Sequence, residues 1–382
     1  MDLLDVGRIV VGLVLLVVGA EALVRGASSL ARRVGLSPLV VGLTVVAVAT
    51  STPELAVTTD AVLSGVTDLA VGNVVGSNIA NILLILGVSA LVLPLAVRQQ
   101  VVRVDLPVMV GLSVLLLVMS LDGGISTLDG AILLGAIIGY TTVTVVVSRR
   151  RTRQADGETS GAGTGADADG HTDQPPASLP RSLLLVLVGV ALLVLGARLL
   201  VSGASNIATD LGVSGLVVGL TVVAVGTSLP ELAASVVAVR RGERDLAVGN
   251  VVGSNIFNIG LVLGLPSVLA ADGIPVPSAA VALDLPLMIA AAVALLPIAF
   301  TGFVVRRWEG GLFFALYLAY TAYVVLVAAE HDALRGFTTV MTVFVLPLVA
   351  MTLVALTAYE VGVRRGRAGT PANDADITSR RT

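Results

Sequence analysis

Residues 39–55 read LVVGLTVVAVATSTPEL, and residues 216–232 read LVVGLTVVAVGTSLPEL, 177 positions further on. A second pair follows: DLAVGNVVGSNIANILLILG at 68–87 returns as DLAVGNVVGSNIFNIGLVLG at 245–264, and 68–79 equals 245–256 letter for letter. Each first segment is uncharged except for one carboxylate set directly after a proline, Pro53-Glu54 and Pro230-Glu231. An ionisable side chain in so apolar a stretch is expensive to keep and marks a functional site by default. Two of them at equivalent places in an internal repeat suggest one shared binding site.

The rest of the chain fits a membrane setting. Of its 382 residues 56% are hydrophobic and 13% charged, with mean hydropathy +0.99, which excludes a soluble globular domain and predicts an all-α polytopic membrane protein. Without cysteine there is no disulfide framework and no thiolate chemistry. The first apolar run, 6–24, lacks a basic leader and an A-x-A cleavage site, so it reads as a spanning helix and not a signal peptide. All 23 basic residues are arginine, and the net charge of −3 carries no functional weight.

Eleven apolar segments of crossing length follow, at 6–26, 38–63, 70–95, 104–121, 127–148, 182–202, 215–239, 247–270, 280–300, 309–329 and 337–360. They divide into a first five-helix repeat (1–148), a disordered cytoplasmic linker (149–180), a second five-helix repeat (181–330), an appended helix (331–363) and a cytoplasmic tail (364–382). With the N-terminus outside, nearly all arginines fall on inner loops; only Arg8, Arg198 and Arg335 do not. The positive-inside rule therefore predicts a multi-pass cell-membrane protein with its N-terminus outside and its C-terminus cytoplasmic. A five-helix unit used twice must arrive inverted the second time, and equivalent loops should exchange charge. They do: Arg32-Arg33 aligns with Thr209-Asp210, and Leu63-Ser64 with Arg240-Arg241.

Within the motif, Thr50 and Glu54 are four apart, as are Thr227 and Glu231, which sets hydroxyl and carboxylate on one helical face. Pro53 brings no amide hydrogen, so the carbonyl of Ala49 loses its helical donor, and Pro230 does the same for Gly226. Ser77 and Asn81, and likewise Ser254 and Asn258, add neutral oxygens, while Gly72, Gly76, Gly249 and Gly253 let a neighbouring helix approach closely. Carboxylate, carbonyl, hydroxyl and amide oxygens suit hard cations. The two histidines, His171 and His331, lie outside the apolar core, which disfavours zinc, copper and iron and leaves calcium and sodium.

These paired GTS-x-PE-like and GN-x-x-GSN-like motifs resemble the alpha-1 and alpha-2 repeats of the sodium/calcium exchangers, within the cation/calcium antiporter superfamily, over about residues 6–330. The resemblance implies a core of helices 2, 3, 7 and 8 around a diamond of cation sites, over which helices 1 and 6 slide. It implies a calcium site of Glu54 and Glu231 with the backbone oxygens of Thr50 and Thr227. It further implies sodium sites involving Ala47, Ser51 and Ser77 in one copy and Ala224, Ser228 and Ser254 in the other, with Asn81 and Asn258 as the central polar pair. Several members hold an aspartate at one central position, whereas this chain has asparagine at both, so its site carries two formal charges. Two charges balance one calcium, two sodium ions or two protons; three sodium ions would make the cycle electrogenic, and potassium co-transport is disfavoured.

The leading expectation is a secondary antiporter exchanging sodium for calcium by alternating access, with calcium and sodium as cargo, the lipid bilayer as its surroundings, and no cofactor or nucleic-acid partner. A calcium/proton antiporter on the same fold is the alternative. A cation channel, which builds its ring from several subunits, is remote, and an intramembrane enzyme lacks a base to activate a nucleophile. Asp105 and Asp284 correspond across the halves near predicted helix starts, where a carboxylate favours the helix N-terminus. Asp60, whose counterpart is Val237, is expected to face the outer vestibule. Asp167, Asp169 and Asp173 in the linker fail the spacing of a calcium loop.

Overall fold

In a computed structural model the residues described are 2–159, 178–270 and 272–368. Among them, nine apolar helices are long enough to cross a membrane, and two bent pairs bring the number to eleven. We number the crossings α1 (Leu3–Val34), α2 (Pro38–Thr50 and Thr52–Leu63), α3 (Thr67–Val92), α4 (Val101–Asp122) and α5 (Thr127–Arg150). The second set is α6 (Leu179–Asp210), α7 (residues 215–227 and Leu229–Arg240), α8 (Arg244–Leu269), α9 (Ala280–Phe300), α10 (Arg307–Ala328) and α11 (Ala333–Glu360). The protein is an all-α polytopic membrane protein.

Wide π-type turns interrupt these helices at matching places in the two halves. Gly42–Val46, Asn81–Leu86 and Val101–Asp105 in the first half answer to Gly219–Val223, Asn258–Leu263 and Ala280–Asp284 in the second. Such turns loosen the regular hydrogen-bond ladder and concentrate at functional sites.

Among the described residues, four two-residue strands tie the ends of the bundle together: β1 (Leu95–Ala96) pairs with β4 (Val304–Val305), and β2 (Gly124–Ile125) with β3 (Ile274–Pro275). β1 follows α3 and β3 follows α8, the equivalent helix, yet each pairs with the strand from the other half's next loop. One crossing, α4, separates β1 from β2. The segments after α3 and α8 therefore lie at opposite ends of the bundle, which supports an inverted relation between the halves. One end carries β1, β4, Arg32, Arg33, Arg98, Arg241 and Arg244; we refer to it as the arginine-rich end.

α3 and α8 form the centre, with 83% and 94% of their apolar windows buried, against 28% for α1 and for α6. α1 and α6 lie antiparallel against each other through small residues seven apart, Gly12, Gly19 and Gly26 on one and Gly196, Gly189 and Ser182 on the other. A Cβ at Gly12 would stand 2.7 Å from the carbonyl of Gly196, and one at Gly19 2.8 Å from that of Gly189. Backbones that close leave no room for a side chain. The Ser29 and Ser182 hydroxyls hydrogen-bond across this seam at 2.9 Å, and Asn206 donates to Asp5 at its far end, also at 2.9 Å.

One boundary differs from expectation. The helix of α5 continues through Thr159, so the first part of the expected linker is helical. Its arginines, Gln154 and Ala155 are good helix formers and no proline interrupts them. Asp167, Asp169 and Asp173 lie outside the described residues, as does the tail beyond Ala368.

Candidate cation site

The two prolines break their helices where the sequence places them. α2 bends by 44° and α7 by 58°, each at a single residue, Ser51 and Ser228, whose backbone leaves the helical region. Pro53 and Pro230 then sit in the first turn of the second arm, where a missing N–H costs nothing. Glu54 and Glu231 occupy those same first turns. The helix dipole there favours negative charge, while the first arms end with carbonyl groups aimed at the break.

Both carboxylates are 1% exposed. They are close enough to interact coulombically, and the Thr50 hydroxyl lies within reach of Glu231. Neither oxygen of either carboxylate finds a hydrogen-bond partner, and the same holds for Ser51 Oγ, Ser228 Oγ, Ser254 Oγ, Asn258 Oδ1 and both side-chain polar atoms of Asn81. Buried polar atoms are almost always paired, because an unpaired one forfeits its hydration for nothing. Here most of the unpaired ones gather on the two motifs. Among the described residues no cluster of three or more His, Cys, Asp or Glu side chains exists, so two carboxylates are the full anionic charge of this nest.

The expected residues do not all share one environment. Glu54, Glu231, Thr50, Ser51, Ser77, Asn81, Ser228, Ser254 and Asn258 are buried. Thr227 is only half-buried, with its hydroxyl directed to the carbonyl of Ala224 at 3.3 Å. Ala47 is fully buried beneath Gly253, whereas its counterpart Ala224 is exposed.

That last difference extends along the whole interface. At the arginine-rich end the first arm of α2 is clamped on α8: a Cβ at Gly249 would stand 2.5 Å from the Leu39 carbonyl, and one at Gly253 2.7 Å from the Leu43 carbonyl. At the opposite end the equivalent glycines, Gly72 and Gly76, meet nothing within 4 Å. Leu246 is 1% exposed and its counterpart Leu69 53%. The nest is sealed at the arginine-rich end and more loosely covered at the opposite one, with both carboxylates still buried.

Two asparagines that the sequence reading did not single out hold the broken helices in place. Asn73 donates to the Thr58 hydroxyl at 2.9 Å and to the backbone carbonyl of Glu54 at 3.3 Å. Asn250 repeats this with Ser235 at 3.0 Å and the carbonyl of Glu231 at 3.5 Å, and its Oδ1 faces the Thr50 hydroxyl at 3.1 Å. A third, Asn78, joins the halves by accepting from Asn258 at 3.1 Å and donating to the carbonyl of Asn255 at 3.4 Å. Their signal was their 177-residue spacing inside the repeat. Asp105, also twinned, accepts from the Tyr140 hydroxyl at 3.0 Å, which gives it a structural partner.

A family model described as sodium/calcium exchanger protein matches residues 4–146 and 181–326. The inner membrane protein YrbG of Escherichia coli strain K12 is 41% identical over 226 residues, covering 58% of this chain and 66% of YrbG. The sodium/calcium exchanger MaX1 of Methanosarcina acetivorans is 33% identical over 300 residues, covering 71% of this chain and 84% of MaX1. A solved structure of the sodium-calcium exchanger NCX_Mj, soaked without sodium and calcium, superposes with TM-score 0.70 at 32% identity, covering 86% of this chain and 99% of its own.

Proposed function

Because the chain belongs to the sodium/calcium exchanger family, we propose that it exchanges sodium for calcium across the membrane by alternating access to a site between Glu54 and Glu231. The observation that carries this reading is the group of unpartnered oxygens at the helix breaks. Four carboxylate oxygens, the serine hydroxyls and the Asn81 and Asn258 carbonyls supply the hard, flexible ligand set that calcium takes. Sodium fits the same oxygen types. Thr50 and Thr227 offer the carbonyls at the ends of the first arms, and Ala47 and Ala224 line the neighbouring turns.

A divalent ion neutralises both carboxylates, so the loaded site can cross an apolar barrier that the empty, doubly charged site cannot. That coupling of movement to occupancy is what separates an exchanger from a leak. With the N-terminus outside, as the positive-inside rule predicts, the arginine-rich end is cytoplasmic and the loosely packed end faces outward.

The deciding measurement is calcium uptake into proteoliposomes with sodium, potassium and proton gradients imposed one at a time. Uptake driven by an outward sodium gradient, and indifferent to pH, is expected. Uptake that follows the proton gradient alone would favour calcium/proton exchange instead.

A further inference from the structure

Opposite charges join α1 to the end of α7 at the sealed end. Glu21 of α1 accepts from Arg241 Nε, at the end of α7, at 2.6 Å, makes a second contact with Arg241 Nη2, and is held along its own helix by Arg25. Nearby, Arg98 pairs with Asp245 at the start of α8. The repeat maps Glu21 onto Arg198 of α6, a reversal of charge, and maps Arg241 onto Ser64 at the end of α2. One helical turn before Ser64, on the same face, stands Asp60. Arg198 and Asp60 are both exposed, and neither has an ion-pair partner among the described residues. The packing agrees: α1 lies along the second arm of α7, while α6 makes no comparable contact with the second arm of α2.

We propose that Asp60 and Arg198 form a second ion pair when the opposite end seals, and that the molecule exchanges this pair for Glu21–Arg241 as it alternates. The inference rests on the alternating-access reading above. Inversion carries α6 to α2 as α1 is now carried to α7, so the unpartnered charges meet in the state not shown here. Their signs are reversed relative to the first pair, yet each end receives one acid and one base. Neither charge is placed to touch the cation nest; the pair weights the two conformations without binding cargo.

The chain has no cysteine, so thiols can be introduced cleanly. Asp60→Cys with Arg198→Cys is expected to cross-link through a short bifunctional reagent, faster when Glu21→Gln removes the competing pair. Once formed, the link should stop calcium uptake, and cleaving a reducible version of it should restore uptake. A protein that exchanges ions but never cross-links at 60/198, under any ion condition, overturns the proposal. So does equal cross-linking at 60/198 when the 21/241 positions are already tied. If the cysteine-free parent shows no calcium flux, the antiport reading fails, while the cross-linking pattern still reports the movement. As a second test, Asp60→Arg and Arg198→Asp should each slow exchange roughly twofold to fivefold, the scale of an exposed ion pair. The double reversal should restore it, and a double variant no faster than the slower single one counts against the pair.

Discussion

Glu54 and Glu231 are both buried, each in the first turn of a helix arm, and among the described residues only the Thr50 hydroxyl comes within reach of either carboxylate, without completing a hydrogen bond. Their partner under the proposed function is the cargo itself, so neutralising either one should remove binding and leave packing intact. Glu54→Gln and Glu231→Gln are each expected to weaken calcium binding by on the order of 4 kcal/mol, about a thousandfold. Isothermal titration and uptake assays would show this; calcium exchange retained in both variants would refute the assignment. Asn250 bears on the frame and not on the charge. Asn250→Ala strips the carbonyl of Glu231 and the Ser235 hydroxyl of a shared donor, at a cost of roughly 1 kcal/mol. A lowered thermal midpoint in detergent with residual exchange is the expected result. That the two glutamates would be buried at the helix breaks was legible in the sequence, because a lone charge beside a proline in an apolar run has few explanations. The asparagines were not, because an amide in a membrane helix reads equally well as glue until its partners are seen.

Among the elements, the broken helices follow directly from Pro53 and Pro230, but the unequal closure of the two faces does not. Residues 68–79 and 245–256 are identical, yet one copy is clamped and the other open. No local pattern can encode that difference, since the same letters give both environments; it belongs to the conformation. The π-type turns escaped for a related reason, because apolar spacing blurs the distinction between helices a fraction of a residue apart in period. The two faces should answer differently to bulk. Gly249→Leu would drive a side chain into the Leu39 carbonyl and prevent sealing at the arginine-rich end. Gly72→Leu finds open space now and would obstruct sealing only at the opposite end. Both are expected to stop exchange, and a single thiol introduced beside the nest by Thr227→Cys should be reached by membrane-impermeant thiol reagents from opposite sides in the two variants. The same accessibility in both would count against alternation.

For the molecule as a whole, composition predicted the membrane class, and counting apolar segments of crossing length gave eleven, against nine long helices plus two bent pairs among the described residues. Helix lengths were underestimated: α1 and α6 each run 32 residues, well past the hydrocarbon core, because polar residues continue a helix that apolar ones begin. α11 lies beyond the part of the chain matched by the exchanger family, and it covers an apolar cavity of about 440 Å³ against α9 and α10, lined by Leu287, Phe313 and Met341 among others. Truncation before Ala333 is expected to lower thermal stability while leaving calcium exchange within a few-fold of the full chain. Loss of all exchange in a truncated protein that stays monodisperse would give α11 a part in transport.

The crossed strand pairs bear on how such a protein comes to be made. Because β1 waits for β4 and β2 for β3, a polypeptide halted after its fifth helix holds two ribbon edges with nothing to bind. Residues 1–159 and 178–382, produced from separate messages, should each be rapidly degraded alone and should regain calcium uptake when synthesised together. The interlock makes the duplicated gene an obligate partnership: natural selection can let the halves drift in sequence, but it cannot let either one leave.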